Sequence, residues 1–322
     1  MSGVNWWVRR ASADDYDDVI SILQDGEYQG DYLSDYFHIL ISNPLCYPYV
    51  CLVDDKIIAF VQIVIIDNGE TASYRSGRVR REFRGLNLHD QFTDFTLEDL
   101  KKKKKIRGLK RIVFETGMQF KDVYQRLERG GHTFITARKC TFYAGSRTAV
   151  QKSIQTSQND CSSTTLLDEV NFRKVIASKE IYPNVFKDGR LAVDSVLYHI
   201  YQENAPLILM ERTSAVISYP EVYDKTLLTF CSYFRLLNGE TFCKLDIYGK
   251  IGSTVIEHLK LHLRIVLGHV TDVFTIDVRC NEDIDLIDHA MINIGTAKLP
   301  EGTYSHKGKA FYERPVVTHS RL

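Results

Sequence analysis

The chain has 322 residues, about two domains at roughly 150 residues each. Its 41 basic and 41 acidic side chains balance, so it lacks the surplus of Lys and Arg that general nucleic-acid binding requires. With 44% apolar and 25% charged residues it has the composition of an ordinary globular protein, which excludes disorder and collagen-like repeats as descriptions of the whole.

Val4 to Arg9 reads as a strand. The N-terminus lacks the basic start and apolar core of a signal peptide, so a cytoplasmic address is expected. Ser12 with Asp15 three residues on reads as a helix-capping pair. Asp14, Asp15, Asp17 and Asp18 crowd the first turns, where the helix dipole favours negative charge. An aromatic, acidic segment follows, with Tyr28, Asp31, Tyr32, Asp35 and Tyr36. Tyr49–Val53 and Lys56–Ile66 read as strands joined by an Asp54-Asp55 turn. The run Ile57–Ile66 is about half the ~20 residues a spanning helix needs, and it contains Gln62, so it is a strand covered on both faces, and no membrane partner is expected. Asn68-Gly69 is a hairpin signal, followed by a strand over Thr71–Val79. A glycine-containing loop then leads into a helix over Leu88–Lys103. Lys110–Glu115 reads as a strand, Phe120–Arg129 as a helix and His132–Tyr143 as extended.

Between 145 and 165 Ser, Thr, Gln, Asn and Lys dominate without periodicity, the pattern of a linker. It divides the chain into domains 1–144 and 166–322. In the second, Leu191–Gln202 reads as a helix and Leu207–Met210, Val216–Ser218, Thr226–Tyr233 and Cys243–Tyr248 as strands. Val255–Val266 reads as a helix and Val273–Val278 as a strand. The order strand, Gly249/Gly252 turn, helix, strand echoes the order from Thr71 to Glu115, as in a second copy of one architecture. The fold class is α/β, an α+β mixed sheet. The seven cysteines form no CxxC pair, so they read as reduced and structural, and no metal is expected. His132, His199 and His258 stand alone in apolar stretches and read as structural histidines.

The segment Val79-Arg80-Arg81-Glu82-Phe83-Arg84-Gly85-Leu86-Asn87-Leu88-His89 carries the chemistry. A strand ends, a loop turns and a helix begins. The first N–H groups of that helix lack intrahelical partners and carry partial positive charge, a ready anion site. Gly85 allows close backbone approach to a pyrophosphate. The plain reading of the same residues is an ordinary strand-to-helix turn.

Three features resemble the GNAT acyltransferases: the opening Trp7 to Asp15, the element order, and the match of Val79 to His89 to the superfamily's acetyl-CoA loop R-x-x-G-x-G/A. The resemblance covers Val4 to about Tyr143. More narrowly the chain is similar to the histidine N-acetyltransferase group and its vertebrate relatives, through Gly30-Asp31-Tyr32-Leu33, Ile66 to Thr71, Arg78-Val79, Arg84-Gly85 and Lys244 to Gly249. This resemblance implies a GNAT fold in the N-terminal half and a degenerate GNAT-like domain in the C-terminal half.

The resemblance implies that Val79, Arg80, Arg84, Gly85, Leu86, Asn87, Leu88 and His89 bind acetyl-CoA. Asn87 and His89 stand where the motif has small residues; Asn is the least harmful non-Gly residue in a left-handed conformation, whereas His89 adds bulk. An amine must lose a proton to be acetylated. The strand Tyr74 to Arg78, where the superfamily often places the acid, has no carboxylate, so Glu115 is the leading candidate base and Glu70 a lesser one. Tyr124 is the candidate acid for the departing thiolate; otherwise it is a core tyrosine with a polar tip. Tyr28, Asp31 and Tyr32, with Asp35 and Tyr36, are candidates for holding the acceptor amine and its ring. The basic run Lys101–Lys105 reads as a solvated helix end, with coenzyme phosphate contact or nuclear import as alternatives.

The resemblance thus implies acetyl transfer from acetyl-CoA to the α-amino group of a free amino acid, histidine, or a small amine, by direct attack. A catalytically impaired binding or regulatory protein is the alternative that Asn87, His89 and the missing strand carboxylate raise. A protein-directed acetyltransferase is a third reading. The oligomeric state is left open.

Overall fold

The computed structural model describes residues 6–23, 27–86, 88–102, 108–156, 163–270, 272–281, 284–304 and 307–316. They group into two compact units. The first holds 6–115, 127–133 and 312–316, and the second 116–126 and 134–311. The grouping does not follow chain order: residues 134–144 belong with the second unit and 312–316 with the first.

The first unit opens with β1 (Trp6–Arg10), α1 (Tyr16–Ile20) and α2 (Leu33–Ser42). The expected capping pair forms ahead of α1: the Ser12 N–H donates to Asp15 Oδ2 at 2.7 Å. Asp15 also takes two 2.7 Å hydrogen bonds from Arg9, whose guanidinium holds its carboxyl below the usual range. β2 (Cys46–Val53) and β3 (Lys56–Ile66) are joined by Asp54 and Asp55 at φ 47° and 63°, the mirror-image turn that matches strand twist. The turn after β3 puts Asn68 at φ 55° and Gly69 at 88° and leads into β4 (Thr71–Val79). α3 (Leu88–Lys102) crosses over to β5 (Arg111–Gly117), which pairs parallel to β4. The sheet order is β1-β2-β3-β4-β5, antiparallel except for the last pair. Every β3 residue from Ile57 to Ile66 is buried, as a strand covered on both faces requires. At the far end of the chain, the Val316 N–H donates to the Lys110 carbonyl at 2.7 Å.

The second unit contains α4 (Lys121–Arg129) up to 126, β6 (Thr133–Ser146) from 134, α5 (Arg147–Thr156), β7 (Thr164–Leu167), α6 (Glu169–Ala177) and α7 (Tyr182–Val185). There follow β8 (Arg190–Val193), β9 (Val196–His199), α8 (Ala205–Ile208), β10 (Thr213–Ser218), β11 (Leu227–Arg235) and β12 (Thr241–Gly249). α9 (Val255–Leu267), β13 (Val273–Cys280), α10 (Asp285–Asn293), β14 (Thr296–Lys298) and β15 (Gly308–Pro315) up to 311 complete the order. Its sheet runs β6-β13-β12-β11-β10-β7, with β12 and β13 parallel and α9 as their crossover. Each unit thus carries a mixed sheet built around one βαβ crossover. Among the described residues no helix is long and apolar enough to cross a membrane.

Three local expectations change. Where residues 191–202 read as a helix, residues 190–199 form the β8–β9 hairpin, because Asp194 and Ser195 turn at φ 46° and 67°, which no helix accommodates. Around Leu207 a helical turn replaces a strand, with Pro206 pre-setting φ at its start. Within the segment read as a linker, Arg147–Thr156 is helical and buries Val150 and Ile154 against the core of the second unit.

That core places Leu259, Leu263 and Val266 of α9 and Ile287 and Met291 of α10 on Cys243, Leu245, Ile276 and Val278 of the sheet. Inside it runs a polar chain. His262 Nδ1 lies 2.7 Å from Ser214 Oγ, and Thr229 Oγ1 lies 2.8 Å from both His262 Nε2 and His258 Nδ1. A hydroxyl both donates and accepts, so the two imidazoles share it while neutral. Burial pushes both histidines down to about 3.

Protons therefore bind these histidines in the unfolded chain before they bind in the folded one. Stability is full above the ordinary histidine range and falls as pH drops from 6.5 toward 3. Buried Asp246, pushed up to about 6 by desolvation, has the opposite sign but is one group against two. The unfolding free energy from urea titration should be lower at pH 5 than at pH 8 by about 2 kcal/mol per histidine, and His258→Gln should remove about half of that histidine contribution.

Candidate functional site

β4 and β5 pair over only Thr71↔Arg111 to Tyr74↔Phe114, although both strands continue. On its other edge β4 stays paired with β3 up to Ala59↔Val79. Residues 75–79 of β4 thus present an edge that β5 does not use. A bulge helps to create it: Phe60 faces Arg78 and Gln62 faces Arg75, so Val61 opposes both Ser76 and Gly77. Ser76 takes φ 53° there. The extra residue turns β4 away from β5 just where their pairing ends.

Below this parting lies the loop to α3. Val79 ends β4, and Arg80 ties the loop down by donating from Nε to the Ile57 carbonyl at 2.7 Å and from Nη2 to Ser21 Oγ at 3.0 Å. Arg84 donates from Nε to the Val79 carbonyl at 2.8 Å and makes a two-pronged ion pair with Glu27 at 3.0 and 2.8 Å. That carboxylate raises the Arg84 guanidinium further above its usual value. Gly85 has φ 79°, and a Cβ built on it meets nothing within 4 Å, so its face is open. Leu86 is exposed and Leu88 is buried at the start of α3. Asn87 and the side chain of His89 lie outside the described residues.

The acceptor candidates sit on the neighbouring segment. Asp31 is engaged by Arg78 through two bonds of 3.1 and 3.0 Å, which ties residues 27–33 to β4. Tyr32 is buried at the start of α2; its hydroxyl bonds Ser76 Oγ and accepts from Arg75 Nε at 2.9 Å. The Arg75 guanidinium also lies over the Tyr32 ring at 4.7 Å. Tyr36 packs edge-on against Tyr32, whereas Tyr28 is exposed. Asp35 falls in the first turn of α2.

Glu115 is half-buried on β5, one residue past the last β4–β5 pair. Glu70 sits at the opposite end of β4, ion-paired with Lys110 and Arg111. Tyr124 belongs to the second unit, where its hydroxyl donates to the Gly117 carbonyl at 3.0 Å. Within the first unit the structure thus brings together the parting, the loop from Val79 to Leu88, Tyr32 and Glu115. Arg75 and Ser76, which sequence reasoning did not assign, hold the Tyr32 hydroxyl. Gly77 inside a strand was the signal for the bulge that places them.

An extended ligand with amide groups can pair with the unused edge of β4. An anion can meet the N–H groups at the start of α3, a fifteen-residue helix. The aromatic and charged wall of Tyr32 and Arg75 stands alongside.

Residues 160–281 match the family described as "Histidine N-acetyltransferase, C-terminal". No curated protein sequence matches the chain. Several solved structures span nearly all of it, two of them as follows. The tandem GNAT protein from the clavulanic acid biosynthesis pathway is 10% identical, with 98% of this chain and 99% of that one covered and a TM-score of 0.56. A GCN5-related N-acetyltransferase from Sphaerobacter thermophilus is 10% identical, with 96% and 95% covered and a TM-score of 0.55. At such identity the likeness is one of fold: the chain is a mixed α/β protein of two GNAT-like units.

The Arg78–Asp31 pair is largely enclosed, with side chains 3% and 20% exposed. Removing one partner strands the other. Arg78→Met should cost about 3 kcal/mol in urea unfolding and speed amide exchange across residues 28–33.

Proposed function

We propose that the chain is an acetyl-CoA-dependent N-acetyltransferase acting on the α-amino group of a free amino acid or small amine, with histidine as the acceptor to test first. The observation that carries this reading is the early parting of β4 from β5, followed directly by an open glycine and a helix N-terminus. The fold shared with acetyltransferases and the match of residues 160–281 to a histidine N-acetyltransferase family support it.

The residues present fit the coenzyme. The β4 edge at 75–79 offers backbone groups to its amide arm, and Gly85 with the first turn of α3 offers N–H groups to its pyrophosphate. Acetyl-CoA supplies an activated acetyl group. The chain's own task is to place a neutral amine next to it. Glu115, at the mouth of the parting, accepts the amine's proton directly or through one water. Tyr32, fixed by Ser76 and Arg75, forms the wall against which the acceptor's ring rests, and Tyr28 and Asp31 frame it. Arg84 exchanges its Glu27 carboxylate for a coenzyme phosphate, at small cost because exposed ion pairs contribute only about 0–1 kcal/mol. The activity belongs in the cytoplasm, needs no metal and no nucleic-acid or membrane partner.

Purified protein should release CoA thiol from acetyl-CoA in the presence of histidine, and Gly85→Trp should abolish release. Glu115→Gln should lower kcat by about 10²-fold and remove the acidic limb of the pH–rate profile. Glu27→Ala should tighten acetyl-CoA binding by up to about fivefold, whereas Arg84→Ala should weaken it. The lack of a carboxylate on the strand from Tyr74 to Arg78 favours a second reading, a binding protein without catalysis. Saturable acetyl-CoA binding with no thiol release across a panel of amino acids and amines would select that reading instead.

A further inference from the structure

The second unit repeats the βαβ crossover of the first, yet differs at the point where the strands part. β12 and β13 remain paired from Thr241↔Phe274 to Asp246↔Arg279, two pairs further than β4 and β5. No register shift interrupts β11 and β12. Just past the last pair, the carbonyls of Ile247 and Arg279 both accept from one atom, Arg138 Nη2, at 2.6 and 2.7 Å. Arg138 comes from β6, is 5% exposed, and stacks its guanidinium 4.0 Å over the Tyr248 ring. A side chain therefore takes the backbone acceptors that a ligand entering between these strands would meet.

The adjoining face of β12 is taken as well. Lys244, Asp246 and Tyr248 alternate along the strand and share that face. Lys244 Nζ donates to Asp194 Oδ1 at 2.8 Å, and the Asp194 N–H donates to Asp246 Oδ2 at 3.3 Å. The Tyr248 hydroxyl donates to the Ala192 carbonyl at 2.7 Å and accepts from the Ala192 N–H at 2.8 Å. Arg279 donates to Ser195 Oγ at 3.1 Å and to Asp277 at 2.9 and 2.8 Å. All of these partners belong to the β8–β9 hairpin or the neighbouring strand β13, and Asp194 at the hairpin tip is 6% exposed. The hairpin lies on the sheet as a cover stitched down by one buried ion pair and several hydrogen bonds. Lifting it would strand Lys244, and moving Arg138 would leave two buried carbonyls without a donor.

We infer that the second unit is a closed copy of the coenzyme-binding unit, with the Arg138 guanidinium filling the parting of β12 and β13 and the Asp194–Ser195 tip covering the adjacent face. The full chain then takes one acyl-CoA, in its first unit. This inference rests on the reading of the first unit as the acetyl-CoA site.

Calorimetric titration of the full chain with acetyl-CoA tests it, with Gly85→Trp in parallel. One equivalent bound by the wild type and none by Gly85→Trp is expected. Two equivalents, or saturable binding that survives Gly85→Trp, would overturn the closure while leaving the first-unit reading in place. No binding by either protein would be consistent with closure and would overturn the first-unit reading. Arg138→Met isolates the guanidinium: amide exchange at 246–249 and 279–280 should quicken roughly tenfold with acetyl-CoA stoichiometry at one. Unchanged exchange there would refute its role. If Arg138→Met does not fold, Arg138→Lys, which keeps the charge but loses the planar fork, serves the same comparison.

Discussion

Two parallel strands that stop pairing before they end are the constraint on which the first unit turns. A parallel pair needs a crossover, and the crossover here is a helix whose N-terminus must follow the end of β4. Parting the strands near that terminus puts unused backbone groups and a positive helix end within one short stretch of chain. The bulge at Ser76 and Gly77 lies where the parting begins, and the contacts of Tyr32 with Ser76 and Arg75 anchor the start of α2 to the same irregularity. One extra residue in a strand thus sets the position of several later features.

The elements that were legible in the sequence are those whose signals are local. Asp54-Asp55, Asn68-Gly69 and the Ser12–Asp15 pair each act within four residues, and each forms. The amphipathic helices after β4 and β12 were legible by period. The β8–β9 hairpin was not, because Leu191, Val193, Val196 and Leu197 suit a helical face as well as a strand, and the outcome is decided by Lys244, Asp246 and Tyr248, about fifty residues away. The loop after Val79 was legible as a strand-to-helix turn, but the engagement of Arg84 by Glu27 was not, since the two are 57 positions apart. The same distance problem hid Arg78 as the partner of Asp31.

The two units show how one strand–helix–strand plan yields opposite polar economies. In the first, the Arg84–Glu27 pair beside the loop is partly exposed, although Arg78 and Asp31 nearby are largely enclosed. In the second, Lys244, Asp194, Asp277 and Arg279 are nearly fully enclosed and paired among themselves. Enclosed pairs contribute little net stability but are costly to disrupt, so they favour a single arrangement. Exposed pairs permit change. The difference lies less in composition than in how deeply each charge is set.

The membership of the chain's last described strand has a consequence for synthesis. Residues 312–316 belong with the first unit, while 134–146 belong with the second. A ribosome therefore releases the first sheet long before the residues that join its β5 side exist, and β6 waits for β13 to be made. Neither unit is a contiguous block that can be completed early or excised by cutting between the halves. A chain interrupted before residue 308 therefore leaves both units incomplete.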